Sequence, residues 1–480
     1  MTRARDLANF GSTTADVTDL NYAKTLYDTG VSGAEFDRLD GIGSAAVGLT
    51  DSQTLTNKIL TSPTLTTPAL GTPSAGVMTN MTGAVTASIV DDAVTGAKIE
   101  NNPTIAGNLT VSGDIVPSTP LSHRNMMING AMNVAQRGTS VTNNQPGLLT
   151  CDRVKLELEG IANDIVVTQD GTGPDGFRNS YKLVTTVNEA MATAGDLAGV
   201  NIRVEAQDLQ QLAYGTSSAK TTTLSFYVKT NLAGTYAVCL RQSDNSDKIN
   251  AQTYVVSSGD ASSENWVRYS ITIPGDTSGV INDDNGDGMN FLWGLGGGTT
   301  YRGGTSGTTW QTYNANLLVN QTVNTLASTS SYWQITGIQW ELGSNATPFE
   351  HRSYGEELTR CQRYYQRYGS PKTFVTTASL GFHDATIWGW CLPLDGDDCA
   401  TTHPLPVEMR TTPTASITEA HIELSNSITN FNSGNTLQAQ GCSSSHLSLH
   451  FDTDEGLNTV NIIAWTFQSS AGYYDLSAEL

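Results

Sequence analysis

Between residues 51 and 75 the chain carries a leucine at every fifth position, Leu55, Leu60, Leu65 and Leu70, interleaved with Pro63, Pro68 and Pro73 at the same interval. Proline fixes its own φ and removes a backbone donor, so this density excludes a helix and a central sheet strand. The chain here must be extended. Side chains of an extended strand alternate between two faces, so an odd interval sends successive leucines to opposite sides. All four meet one core only if the backbone winds about an axis, and a single extended chain cannot bury such a row alone. The repeat therefore predicts several chains wound together, a homotrimer whose core includes Leu55, Leu60, Leu65 and Leu70. A disordered Thr/Pro linker is the other reading of this composition, and the regular interval speaks against it. Short Val/Ile runs broken by Gly and Asn continue the pattern to residue 119, so a trimeric shaft is expected over 51–120.

The rest of the chain reads as mainly β. Residues 1–50 are short and mixed, with a capping box at Ser32–Glu35 and too little apolar content for a domain of their own. From 121 to 352, strand signals recur at Lys155–Leu158, Ile165–Thr168, Tyr181–Thr186, Val200–Ala206, Thr222–Lys229, Gly234–Arg241, Thr253–Ser257, Val267–Ile273, Met289–Gly294 and Tyr332–Leu342. Gly, Asn, Asp and Ser turns separate them, and no long helical pattern intervenes, which argues a jelly-roll β-sandwich. Residues 353–369 read as a linking helix: Ser353 and Glu356 form a capping box, Leu358, Cys361, Tyr365 and Tyr368 recur at helical spacing, and Gly369-Ser370-Pro371 stops it. Three copies of this helix could pack about a trimer axis through Leu358 and Tyr365, or each could pack on its own chain. Residues 370–480 carry further strand-like runs, TIWGWCLPL, HLSLHFD and NTVNIIAWTF among them, and are expected to form a second β-sandwich.

Net charge is −21 with an isoelectric point near 4.6, which argues against nucleic acid or an anionic membrane surface as partner. No apolar run approaches the roughly 20 residues of a membrane span, and MTRARDLANFGS has no apolar signal core, so synthesis in a cytoplasm without export or membrane insertion is expected. The six cysteines, Cys151, Cys239, Cys361, Cys391, Cys399 and Cys442, form no C-x-x-C pair and are too sparse for a disulfide framework, so buried free thiols are expected.

Few residues announce chemistry. Asp283, Asn285, Asp287 and Gly288 match the first half of a calcium loop, but the position that should supply a bidentate Glu is Gly294; a tight β-turn is the competing reading, and no metal or other cofactor is expected. Trp388 and Trp390 flank Gly389 and share a strand face, where exposed rings would stack on sugars and buried rings would be core. Tyr301, Trp310 and Tyr313, in the Gly/Thr-rich stretch GGGTTYRGGTSGTTWQTYN, are alternative sugar contacts. His383 and Asp384 are adjacent, yet no nucleophile elbow, phosphate loop or dinucleotide fingerprint accompanies them, and no catalytic site is expected.

Several stretches resemble tail-fibre proteins of tailed bacteriophages. In that family a strand ending in a Leu-Glu-x-Gly-like turn leads to Thr-Pro-Phe-Glu-x-Arg and then to a helix bearing Cys-Gln-Arg-Tyr-Tyr. Here Thr347–Arg352 and Cys361–Tyr365 match, while Glu341-Leu342-Gly343 departs in order. RNMMINGAMNVAQRG from Arg124, Cys151-Asp152-Arg153, LPVEMRTTP from Leu405 and the terminal YYDLSAEL also resemble family stretches, although Val154 replaces an aromatic residue. The resemblance implies a homotrimeric virion protein. Its segment 1–50 would attach to a virion tail protein, and its jelly roll (121–352) and C-terminal tip (370–480) would meet a host cell-surface glycan. It leaves open a fibre-borne polysaccharide depolymerase, disfavoured because no β-helix repeat is sustained beyond residue 120, and a neck or collar fibre without a receptor role.

Overall fold

The computed structural model describes residues 122–368, except 144, 163–164, 245–246, 305–306 and 308. Of the C-terminal part it describes 387–390, 392–395, 398–418, 421–424, 437–439, 442–452, 462–466 and 473–480. All belong to one compact unit, Val111–Leu480. Leu55, Leu60, Leu65 and Leu70, with the shaft, and the pair His383 and Asp384 lie outside the described residues.

The protein is mainly β. Among the described residues before 343 the strands are β1 (Ser140–Asn143), β2 (Gly147–Leu148), β3 (Lys155–Glu159), β4 (Ile165–Asp170), β5 (Ser180–Thr185), β6 (Leu197–Glu205), β7 (Thr222–Thr230), β8 (Gly234–Gln242), β9 (Lys248–Val256), β10 (Val267–Ile273), β11 (Asp287–Gly297), β12 (Gln311–Thr312) and β13 (Tyr332–Leu342). They form a six-stranded sheet in the order β1-β4-β5-β13-β7-β10 and a seven-stranded sheet in the order β12-β9-β8-β11-β6-β3-β2. The two alternate apolar rows meet in one core. Leu156, Val200, Ile202, Val238, Leu240, Phe291 and Trp293 come from the larger sheet, and Val167, Leu183, Leu224, Phe226, Trp333, Ile335 and Trp340 from the smaller. Edge-to-face aromatic pairs bridge the sheets, Phe226 with Trp293 at 5.7 Å and Phe291 with Trp340 at 4.9 Å.

Strand β13 changes parity along its length. Trp333 and Ile335 point into the core, and so do Ile338 and Trp340. A bulge between Thr336 and Gln339 makes this possible by adding one residue against β7. Gly337 sits there at φ +63°, and a Cβ would stand 2.9 Å from both Phe177 and Tyr227, so only glycine fits.

The helix after this sandwich is shorter than its sequence pattern predicts. After α1 (Ser258–Ser263) comes α2 (Tyr354–Gln362), and the chain then enters strand β14 (Tyr365–Tyr368). Ser353 caps α2 as expected, its Oγ accepting the Glu356 amide at 3.2 Å. The helix ends early because β14 pairs with the strand Tyr473–Ser477, which also pairs with Thr414–Thr418, and aromatic residues suit a sheet as well as a helix. Tyr365 is 2% exposed and Leu358 half-buried within a single chain. Tyr365 is therefore carried by a strand rather than by the helix, and it is already buried within its own chain.

Candidate functional site

The stretches that carry the fibre resemblance converge on one junction. Arg352 donates to the Met127 carbonyl at 2.9 Å and to the Asn125 carbonyl, and the Glu350 carboxylate accepts the Asn125 amide at 2.8 Å. Buried Glu357 accepts the Asn129 amide and lies 3.6 Å from Arg352. The motif that leaves the sandwich is thereby pinned to the motif that enters it. Beyond α2, the Arg137 and Arg153 guanidiniums lie flat on the Tyr365 and Tyr364 rings, each 3.5 Å from the centroid, and both reach Glu479. Arg363 holds buried Glu205 through two bonds of 2.9 Å, and Arg367 holds Asp475 at 2.7 and 2.8 Å. Burial pushes the Asp152 carboxyl up to about 6, against the opposing pull of Arg137. Cys151 and Cys361 are buried free thiols whose pKa burial raises, so they are unreactive packing residues. Most charged groups of this assembly engage one another, as a structural junction requires, although Arg153 Nε is buried without a hydrogen-bond partner.

A different region is open. On the face of the larger sheet turned away from the core lies a cleft of about 260 Å³. It follows from strand alternation: Leu156 and Leu158 of β3 point inward, which sends Lys155, Glu157 and Glu159 outward. The same logic turns Asn201 and Arg203 of β6, Asn290 and Leu292 of β11, and Cys239 and Arg241 of β8 to this face. Antiparallel register aligns them in two rows. Lys155, Asn201, Leu292 and Cys239 are cross-strand partners in sequence, as are Arg203, Asn290 and Arg241.

The loop after β11 folds back over half of this face. Leu318 and Val319 are buried on Leu197, Ala237, Cys239 and Leu292. The approach is close enough that a Cβ on Gly294 would stand 2.2 Å from Gln321 and 2.6 Å from Leu318. The loop thereby sets two tyrosines at the rim of the uncovered half. The Tyr301 hydroxyl donates to Glu159 Oε2 at 2.5 Å, and burial, then the Glu159 bond, push its pKa up to about 12. Tyr313 is 38% exposed and carries the Arg241 guanidinium 4.1 Å from its ring centroid.

Polar groups on the floor are arranged but incompletely used. Asn201, 4% exposed, donates through Nδ2 to Asn290 Oδ1 at 2.6 Å, while its own Oδ1 is buried without a hydrogen-bond partner. Arg203 lies 3.5 Å from Asp287, and its Nε is likewise buried and unpartnered. Arg241, by contrast, is gripped by Asp247 at 2.7 and 3.1 Å. Cys239 is inert, burial pushing its thiol up to about 12. At the Arg203 end a water-sized cavity of about 10 Å³ shares Lys155, Asn201 and Arg203 and is walled by Glu479 and Leu480.

The sequence candidates fare unequally. Tyr301 and Tyr313 come together at the cleft. Trp310 does not join them: its indole N–H donates to the Pro274 carbonyl at 2.7 Å and its ring meets Tyr214 edge-on at 5.8 Å, so it closes the core. Trp388 and Trp390 lie in the strand Ile387–Trp390, paired with Ile462–Thr466, and their side chains fall outside the described residues. The Asp283–Asp287 segment is a turn in which Asp284 Oδ1 accepts the Gly286 amide at 2.8 Å. Asn285 donates to the Arg410 carbonyl and Asp287 faces Arg203, so these side chains are drawn apart rather than gathered on an ion. Asn201, Arg203, Arg241 and Asn290 were not singled out from sequence. Their only local signal is a polar residue at alternate strand positions, which equally marks an ordinary solvent face.

No protein-family model matches the chain, and no curated protein matches it. Solved structures do. The enzymatically active domain of tailspike protein 4 of bacteriophage CBA120 is 10% identical, with a TM-score of 0.24, over 46% of this chain and 21% of that one. A family 11 carbohydrate-binding module from Clostridium thermocellum, in complex with a β-1,3-1,4-mixed-linked tetrasaccharide, is 13% identical, with a TM-score of 0.21, over 44% of this chain and 98% of that one. The tandem CBM22 domain from Paenibacillus barcinonensis Xyn10C is 8% identical, with a TM-score of 0.22, over 72% of this chain and 98% of that one.

Proposed function

We propose that this chain is a tail-fibre, receptor-binding protein of a tailed bacteriophage that adheres to a host cell-surface glycan through the cleft on the seven-stranded sheet. The observation that carries the binding half is the floor of the cleft. Asn201 is held rigidly by Asn290, yet its Oδ1 is buried with nothing to accept from. An unmet buried acceptor costs free energy that a ligand hydroxyl would recover. Tyr301 and Tyr313 at the rim offer aromatic faces to the C–H side of a pyranose, and the ion pairs beside them offer donors and acceptors together.

The fibre half rests on the sequence resemblance at Arg124–Gly138, Thr347–Arg352, Cys361–Tyr365 and Tyr473–Leu480. In this reading the leucine repeat joins three chains, segment 1–50 docks on a virion tail protein, and the virion presents many weak sites whose avidity exceeds any one of them. In this reading the fibre adheres and does not cleave; Glu157 and Glu159, the carboxylates lining the cleft, are engaged by Lys155 at 2.8 Å and by Tyr301 at 2.5 Å.

The test is adsorption. Full-length protein should compete with the phage for host cells, and Tyr313→Ala should lose that competition while melting at the wild-type temperature. Undiminished competition by Tyr313→Ala would place the receptor site elsewhere. New reducing ends after incubation with host polysaccharide would replace adhesion by hydrolysis.

A further inference from the structure

The charges of the cleft are matched pair by pair, and the pairing specifies a ligand class. Lys155 meets Glu157 at 2.8 Å, Arg203 meets Asp287 at 3.5 Å and Arg241 meets Asp247 at 2.7 Å, while Glu159 holds Tyr301 and pairs with no cation among the described residues. Three cations and two carboxylates, Glu157 and Glu159, line the cleft, and Asp287 and Asp247, which grip Arg203 and Arg241 from outside the lining, bring the cluster to three cations against four carboxylates. At the adjoining small cavity Arg153 pairs with Glu479, which it shares with Arg137. From this arrangement, and resting on the reading of the cleft as the saccharide site, we infer that it selects uncharged saccharides and excludes those bearing carboxylate, sulfate or phosphate groups.

The chemical reason lies in what each ligand needs. A sugar hydroxyl is donor and acceptor at once, so it is served by a cation and a carboxylate side by side. Asn201 Oδ1 and Arg203 Nε, two positions apart on one face of β6, add an unpartnered acceptor and an unpartnered donor at the floor. An anionic substituent needs donors and positive charge alone. Here it would have to displace a resident carboxylate from its cation or lie against it, and like-charge juxtaposition of this kind rejects wrong partners. The chain's charge of −21 adds repulsion at longer range.

The experiment uses the full-length protein on a glycan array that carries neutral oligosaccharides (glucans, mannans, galactans) beside acidic ones (polygalacturonate, hyaluronate and polysialic acid fragments). The expected result is binding confined to the neutral set, unchanged as NaCl is raised from about 0.05 to about 0.5 M. Asn201→Ala, and Tyr313→Ala as the variant on an exposed rim, should each weaken it about tenfold. Glu157→Gln, which frees the Lys155 ammonium, should add binding to the acidic set. Wild-type binding to acidic glycans that Tyr313→Ala weakens overturns the class and leaves the cleft as the site. Binding to any glycan that neither Asn201→Ala nor Tyr313→Ala weakens overturns the site itself. No binding to either set overturns the saccharide reading and this inference with it. A Glu157→Gln protein that gains no acidic binding removes the electrostatic ground for exclusion.

Discussion

Glu479 is the residue whose loss should cost the junction most. Its side chain is 8% exposed and faces Arg137, 11% exposed, and Arg153, 3% exposed. Glu479→Ala leaves two guanidiniums buried without their shared carboxylate. Removing one partner of a buried ion pair costs about 3–5 kcal/mol. Both arginines keep other contacts: Arg137 keeps Asp152 at 3.7 Å, and Arg153 keeps the Arg203 carbonyl at 2.7 Å and the Tyr364 ring at 3.5 Å. The lower end, about 3 kcal/mol, is therefore expected. At about 2 °C per kcal/mol for a unit of this size, that is a fall of about 6 °C in the melting temperature, read by tryptophan fluorescence. The control is Glu356→Ala, whose pair with Arg360 is exposed at 44% and 37% and should move stability by less than about 0.5 kcal/mol. Adding Arg153→Met to Glu479→Ala should recover about 1 kcal/mol or more relative to the sum of the single losses. If Glu479→Ala melts no lower than Glu356→Ala, the junction is not held by buried charge and the reasoning fails.

Three further outcomes are expected. Asp152 has a folded pKa of about 6 against 3.8 unfolded, so the folded state binds the extra proton. Its contribution to stability is thus full below about pH 4 and is lost as pH rises through about 6, and Asp152→Asn should flatten that segment of a stability-versus-pH series measured by urea unfolding. Tyr365→Ala removes a ring buried under Arg137 and should cost about 3 kcal/mol while light scattering shows the oligomeric state unchanged; dissociation instead would return Tyr365 to a trimer contact. Replacing Leu60 and Leu65 together by Asp should turn a trimer into monomers by light scattering without lowering the melting temperature of the β-sandwich, and a stable wild-type monomer at micromolar concentration would remove the wound-shaft reading.

What was legible in the sequence was local. Alternation and turn residues predicted the β-sandwich and most of its strands, because a half-buried strand imprints its period on its own residues. Strand β9 begins at Lys248 rather than Thr253, since Asn250 and Gln252 interrupt the apolar pattern while still pairing with Leu240 and Val238. Ser353 marked the start of α2 because a cap is satisfied within three residues. Its end was misplaced. Tyr365 and Tyr368 keep helical spacing, but pairing with Tyr473–Ser477, more than a hundred residues away, outweighs that spacing. The motif stretches were visible as sequence, yet only the tertiary structure shows them gripping one another through Arg137, Arg153 and Arg352.

The same division governs the cleft. The sequence by itself determined that Tyr301 and Tyr313 sit in a Gly/Thr-rich stretch able to carry binding residues, and that Lys155–Leu158 is a strand. It did not separate Trp310 from those tyrosines, because all three share one Gly-rich stretch and only packing against Tyr214 draws Trp310 into the core. Nor did it bring Asn201 to Asn290 or Arg203 to Asp287, because those pairs are made by cross-strand register between β6 and β11. Period and capping are written into neighbouring residues, whereas a binding face is assembled from strands distant in the chain, and only the packed sheet decides which polar residues meet and which are left without a partner.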